Sequence, residues 1–253
     1  MSSDTAALLP EVDVSVRAAP GSVDTPRVVR EVGGAFARWR GVETARLRLS
    51  IVPGERRVVL VQANTRFRGT PVRVQVSGPA GFVATSAAER LDRSLVRLTE
   101  SAGVRVWPDP ARPPLASVTE RRVIVRRKEY ALRRCTPMDA ARVMDAMDYD
   151  AHLFVDAETG EDAVVHWAGP LGVRLMRQRR VRPSVRLERG PLTVHPRPAP
   201  WLTDTEAADR LCRYGLPFVF YTDPRGRRGR LLLRRYDGDL SVVQSAGPMR
   251  DEP

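Results

Sequence analysis

Val123-Ile124-Val125-Arg126-Arg127-Lys128-Glu129-Tyr130-Ala131-Leu132 opens the stretch that decides the fold, residues 123–176. Apolar and polar residues alternate along it, which predicts a strand. Thr136-Pro137 follows, with Asp139 three residues after Thr136. That pattern supplies an N-cap, a proline at the first helical position and an acid in the first turn. The helix it starts carries Met138, Ala141, Met144 (or Val143) and Met147 on one face, the spacing of a buried stripe. Two more strands, His152 to Asp156 and Ala163 to Trp167, are joined by Ala157-Glu158-Thr159-Gly160-Glu161, where Gly160 supplies the positive φ a hairpin needs. The unit reads β-α-β-β-β and is too small to bury much core alone.

The residues of this unit carry a resemblance. Lys128-x-Tyr130-x-Leu132-Arg133, Ala140 and Met144 on the helix, Asp150, Phe154, the run Asp156 to Glu161 and Val164-Val165 fall without a gap on one pattern. It is similar to the C-terminal domain of long-form ribosome hibernation promoting factors, the sigma-54 modulation or ribosome-associated inhibitor type.

Composition points the same way. A net charge of +12 and a pI near 11.0 favour a polyanionic partner, nucleic acid ahead of membrane. Cys135 and Cys212 lie far apart in the sequence; they form no metal or redox spacing and suit a reducing cytosol. There is no signal-peptide pattern and no apolar run long enough to cross a bilayer. A soluble, cytoplasmic protein is the expectation.

Upstream of the central unit the chain predicts an arm over 1–10 and a first domain over 11–102. Val12, Val14 and Val16 alternate into a strand; Pro20-Gly21 turns; Thr25-Pro26 starts a helix with Val28, Val29, Val32, Phe36 and Trp39 as its stripe. Strands follow at 47–51, 58–66 and 72–76, with a turn at Pro53-Gly54, and then a helix at 85–99 whose stripe is Leu91, Leu95 and Leu98. The order is β-α-β-β-β-α, a four-stranded sheet backed by two helices. Arg27, Arg30, Arg38 and Arg40 on or just beyond the first helix, and Arg90, Arg93 and Arg97 on the second, fall off the stripes. In a chain this basic, two such helices predict contact with RNA phosphates. Few exposed aromatics interleave there, so recognition by shape and backbone is expected over base stacking.

A Pro-rich linker over 103–120 separates this domain from the central unit, 121–177. A basic Pro-rich segment, 178–200, then carries the first strand of a diverged second copy, 184–247. The copy has a helix from Glu206 capped by Thr203 or Thr205, a strand at 217–221, a turn at Asp223-Pro224-Arg225-Gly226, strand Leu231 to Leu233 and a turn at Asp237-Gly238. Arg225, Arg227, Arg228 and Arg230 stand where the first copy has Glu158, Glu161 and Asp162. The fold class is therefore α+β, with one β-α-β-β-β-α domain and two tandem β-α-β-β-β domains.

Enzymatic chemistry finds no support. His152 and His166 lie on facing strands and His195 in a loop, without partners at metal-ligand spacing, so strand packing is the reading. Asp145, Asp148, Asp150, Asp156, Glu158, Glu161 and Asp162 read as a solvated helix end and hairpin turn, because the EF-hand ligand order is absent. No phosphate loop, nucleophile elbow or dinucleotide fingerprint occurs. No catalytic residue, metal or cofactor is expected.

The first domain also resembles its counterpart in the hibernation factors, through Glu89-Arg90-Leu91-Asp92-Arg93-Ser94-Leu95 and the order of its elements. The whole chain is similar to an actinobacterial-like variant with a duplicated C-terminal domain. The resemblance implies a factor that binds small-subunit rRNA at the decoding and tRNA region and blocks translation under stress. Arg179, Arg180, Arg225, Arg227, Arg228 and Arg230 are candidates for further rRNA contacts. In the family the C-terminal domains of two chains pair and join two ribosomes. Here two copies on one chain predict pairing within it, His152, Phe154, Val164 and His166 against Phe218, Phe220, Leu231 and Leu233, in a monomer that silences single ribosomes. A homodimer that joins ribosomes, a sigma-factor-binding regulator and a general double-stranded-RNA binder are the alternatives.

Overall fold

The computed structural model describes residues 12–17, 24–51, 58–100, 103–112, 119–182, 192–235 and 238–246. The arm at 1–10 and the turns at Pro20-Gly21 and Pro53-Gly54 lie outside them, as do residues 113–118 and 183–191 of the two Pro-rich segments and Asp237. Two compact units form, one around the first domain and one around both C-terminal modules, and residues 146–148 group with the first.

In the first unit the elements run β1 (Val12–Arg17), α1 (Thr25–Arg38), β2 (Val42–Ile51), β3 (Val58–Phe67), β4 (Thr70–Pro79) and α2 (Val83–Thr99). The strands are ordered β1-β2-β3-β4. Strand β1 lies parallel to β2, with α1 as the crossover a parallel pair needs, and the remaining pairs are antiparallel. Arg68 and Gly69 both take positive φ, 48° and 76°, the two-residue turn whose twist suits a hairpin. Asp24 caps α1 by accepting from the Arg27 amide at 3.0 Å, one residue earlier than the expected Thr25 cap. Val28, Val32, Ala35 and Phe36 of α1 and Ala87, Leu91 and Leu95 of α2 close over Ala45, Leu47, Leu49, Val61 and Val74.

In the second unit the elements are β5 (Ile124–Tyr130), β6 (Arg134–Cys135), α3 (Pro137–Ala146), β7 (Ala151–Asp156), β8 (Asp162–Trp167), β9 (Val173–Arg177), β10 (Leu192–Val194), α4 (Asp204–Arg213), β11 (Phe218–Thr222), β12 (Gly229–Arg234) and β13 (Leu240–Ser245). Thr136 caps α3, accepting from the Asp139 amide at 3.2 Å, and Thr203 with Glu206 forms a capping box on α4. Gly160 has φ 71°, as the hairpin requires.

The sheets correct one expectation. Strand β5 does not belong to the first module. It is the last strand of the order β11-β12-β13-β5, parallel to β13, while β10 joins β10-β9-β8-β7-β6, parallel to β9. Each module thus receives the strand that the sequence assigned to the other. The reason is reach. Only residues 131–133 separate β5 from β6, and they span at most about 14 Å. The slot beside β9 lies four strand spacings from β6, roughly 19 Å.

Leu91 is fully buried in the core of the first unit. Leu91→Ala is expected to lower that unit's urea midpoint by the equivalent of about 2–5 kcal/mol.

Candidate nucleic-acid interface and module-pairing surface

Helices α1 and α2 pack side by side on one face of the first sheet, so their outward sides form one surface. Arg30, Arg40 and Arg93 are exposed on or beside it and Arg97 is half-buried. Two other candidates are engaged by carboxylates: Arg27 donates to Glu31 at 2.7 Å, and Arg38 to Asp92. Asp92 also accepts from the Trp39 indole at 2.8 Å, which ties the two helices together. Arg90 is different. It is 1% exposed, and its guanidinium donates to the Gln75 carbonyl oxygen and, at 2.9 Å, to the Asp148 carboxylate. It lies three residues after Ala87 and seven after Val83, both buried, so the helical repeat turns it inward. Arg90 is removed from the solvent-facing set.

On β2 and β3 the sheet face away from the helices carries basic residues that the helix-based reading misses, while on β4 the same face is covered, with Gln75 2% exposed and Arg73 donating to the Met147 carbonyl. Arg46, Arg48, Gln62, Asn64 and Arg66 alternate on β2 and β3 with the buried Ala45, Leu47, Leu49, Val61, Ala63 and Thr65. Strand alternation is the signal that marks it. Arg46 lies 3.5 Å from Asp13 and Arg66 4.0 Å from Glu43, so both arginines are partly neutralised.

In the second unit the two modules meet through an apolar layer. Ala151, Leu153 and Val164 from the first and Phe220 and Leu231 from the second are buried together, with Met176, Phe218, Leu233 and Val243 packed around them. Six of the eight expected pairing residues lie here or beside it. Val164 and all four of Phe218, Phe220, Leu231 and Leu233 belong to the layer, and the His166 ring stands 5.0 Å from that of Phe218. His152 and Phe154 do not. On β7 they alternate with Ala151 and Leu153 and face the other way: Phe154 enters the core under α3, and His152 stacks on Tyr149 at 5.8 Å. The expectation erred by one residue of strand parity.

Charge closes the rim of this layer. Asp162, 1% exposed, accepts from Arg228 Nε at 2.7 Å and Nη2 at 2.8 Å, a bidentate pair, and from the Gly229 amide at 2.7 Å. Gln178 accepts from the Asp162 amide at 3.1 Å and donates to the Thr222 hydroxyl and the Arg227 carbonyl, each at 3.2 Å. The acidic run is therefore not the solvated turn expected from sequence. Asp156 is buried and holds the buried Arg177 at 2.8 Å, and Glu161 accepts from the Arg179 and Arg180 amides at 3.0 and 3.2 Å. Arg230 turns inward to Asp204 at 2.7 Å and Asp223 at 3.1 Å. Like Arg228, it is committed to protein carboxylates; Arg225 and Arg227 are exposed, and so are Arg179 and Arg180, although their Nε atoms lie 3.2 and 3.9 Å from the Glu161 carboxylate. Asp204, at the start of α4, also accepts from Tyr221 at 2.6 Å and from Arg127 of the exchanged β5. These contacts hold its carboxyl below the usual range, against the burial that pushes it up.

Burial lowers both His152 and His166 to about 4. The His166 Nδ1 lies 2.9 Å from the Trp167 carbonyl, and Nε2 is buried with no hydrogen-bond partner among the described residues. Neutral imidazole is the form that fits. No cluster of metal-ligating side chains occurs among the described residues, and no helix there is long and apolar enough to cross a membrane.

Residues 119–174 match the family model described as "Sigma 54 modulation/S30EA ribosomal protein C terminus". A protein of Mycobacterium tuberculosis H37Rv described as "Dormancy associated translation inhibitor" is 43% identical over 245 residues, covering 94% of this chain and 89% of that protein. Its counterpart in strain CDC 1551 gives the same figures.

The histidines set a pH dependence. A folded-state value near 4 against an ordinary 6.5 means that the unfolded chain binds the proton first as pH falls. Stability from His166 is then complete above about 6.5, declines toward about 4 and is flat below. Between those limits His166→Gln is expected to lose less stability than the unaltered protein, by up to roughly 3 kcal/mol. Urea unfolding at a series of pH values checks the difference; parallel curves would refute it.

Proposed function

The chain belongs to the long-form ribosome hibernation promoting factor family, and from that premise we propose that it inhibits translation by occupying the small ribosomal subunit in the cytoplasm. The reading is carried by one observation: Arg30 on α1 and Arg93 and the half-buried Arg97 on α2, with Arg40 exposed just beyond α1, lie off the buried stripes of two neighbouring helices in a chain with net charge +12. Arginines in that arrangement neutralise successive rRNA phosphates and release their counterions. The domain's bulk, seated in the decoding and tRNA region, then excludes the substrates of translation. The relatives' description as dormancy-associated translation inhibitors supports the same outcome.

The second unit decides how many ribosomes are engaged. Joining two ribosomes through paired modules of two chains requires a free pairing face. Here the chain's own second module covers the face of the first. Residues 195–203 tether β10, in the sheet of the first module, to α4 of the second, and a tether of that length gives an effective concentration on the order of millimolar. The protein acts as a monomer on single ribosomes, and Arg179, Arg180, Arg225 and Arg227 add rRNA contacts from the outside of the module pair.

Ribosome pelleting over a salt series tests the first step. Replacing Arg30, Arg93 and Arg97 together with Gln is expected to weaken binding and flatten the log-log salt dependence by roughly 0.7–0.9 for each phosphate no longer neutralised. Folding survives, because Leu91 and Leu95 are untouched. An unchanged slope would place the interface elsewhere.

A further inference from the structure

The two modules are related residue by residue, and the relation meets at one point. Leu153 pairs with Val164 as Phe220 pairs with Leu231, and Val155 pairs with Asp162 as Thr222 pairs with Gly229. Asp162 and Gly229 are therefore equivalent positions, and the preceding residues, Glu161 and Arg228, correspond as well. These equivalent positions also touch. A Cβ built on Gly229 would stand 2.6 Å from the Asp162 Cβ and 2.9 Å from the Phe220 ring, so the contact has room for one side chain and not two. Arg228 supplies the charge that the buried Asp162 needs.

We propose that Asp162, Arg228 and Gly229 make this pairing surface selective, so that the first module accepts a second-type module and refuses the first module of another copy. The inference deepens the single-ribosome reading and rests on it. In a pair of first modules, Asp162 would meet Asp162 where only glycine fits. Glu161 would replace Arg228, leaving buried carboxylates without a cation, which is more costly than losing a surface pair. In a pair of second modules, glycine would meet glycine, leaving a gap, and two Arg228 side chains would have no acid. Only the mixed pair fills the contact and balances it. The selectivity comes from the refused pairs as much as from the accepted one.

Two full-length variants rebuild the refused contact inside one chain. Gly229→Asp places a second carboxylate at the meeting point, and Arg228→Gln removes the cation. Each is expected to raise amide exchange of peptides over β8 and β12 by roughly a hundredfold or more, while α2 of the first unit keeps its protection. Adding Asp162→Asn to Arg228→Gln removes the stranded charge and is expected to recover part of that protection. Wild-type exchange in Gly229→Asp, or no recovery in the double variant, would overturn the proposal. The solution mass of the unaltered protein is read separately by light scattering. Twice the chain mass would overturn pairing within the chain and leave the selectivity standing. A single-chain mass with unchanged exchange in both variants would do the reverse.

Discussion

A four- or five-stranded sheet has two faces, and each C-terminal module owns one helix to cover them. Helix α3 covers Phe154, Ala163 and Val165; α4 covers Val219, Tyr221, Leu232 and Val242. The opposite faces, with Leu153 and Val164 on one and Phe220 and Leu231 on the other, are equally apolar. Burying such side chains is worth about 1.5–3 kcal/mol each, so neither module is stable with that face in water. The rest of the second unit follows from this constraint: the exchanged strands, the glycine at the meeting point, and the buried ion pair that closes the rim.

Polar groups that close a buried layer must be satisfied, and here arginine satisfies them. Arg228 on Asp162, Arg177 on Asp156, and Arg90 on Asp148 are pairs in which the carboxylate is buried and the guanidinium reaches it within 2.7–2.9 Å. Removing one partner of such a pair typically costs about 3–5 kcal/mol. A substantial part of the chain's basic character is thus structural. Among the arginines that remain solvent-facing are Arg30, Arg40 and Arg93 beside α1 and α2, Arg46 and Arg66 on the sheet, and Arg225 and Arg227 at a turn of the module pair.

Much of this was legible in the sequence. Strand alternation and helix stripes placed the elements. Thr136 and Thr203 marked two helix starts, and Gly160 a turn. What failed did so for physical reasons. The reach of residues 131–133 sends β5 into the other module's sheet, and no local pattern reports which sheet completes a strand. His152 and Phe154 were assigned to the pairing face because both faces of β7 are apolar, which removes the alternation that would fix parity. Arg90 looked like a surface residue by type, although its position, three and seven residues after buried neighbours, carried the contrary signal. The acidic run looked solvated because its partners, Arg177 and Arg228, lie 21 and 66 residues away from Asp156 and Asp162.

The chain belongs to the hibernation factor family, and its second module covers the apolar face of its first. The closure is chemical as well as topological, since the faces differ in charge and in the room left at their meeting point. Sucrose-gradient sedimentation of purified ribosomes with saturating full-length protein tests that claim most directly. The account predicts that the protein co-migrates with the single-ribosome peak and adds no heavier species. A ribosome-dimer peak that appears with the protein would contradict it.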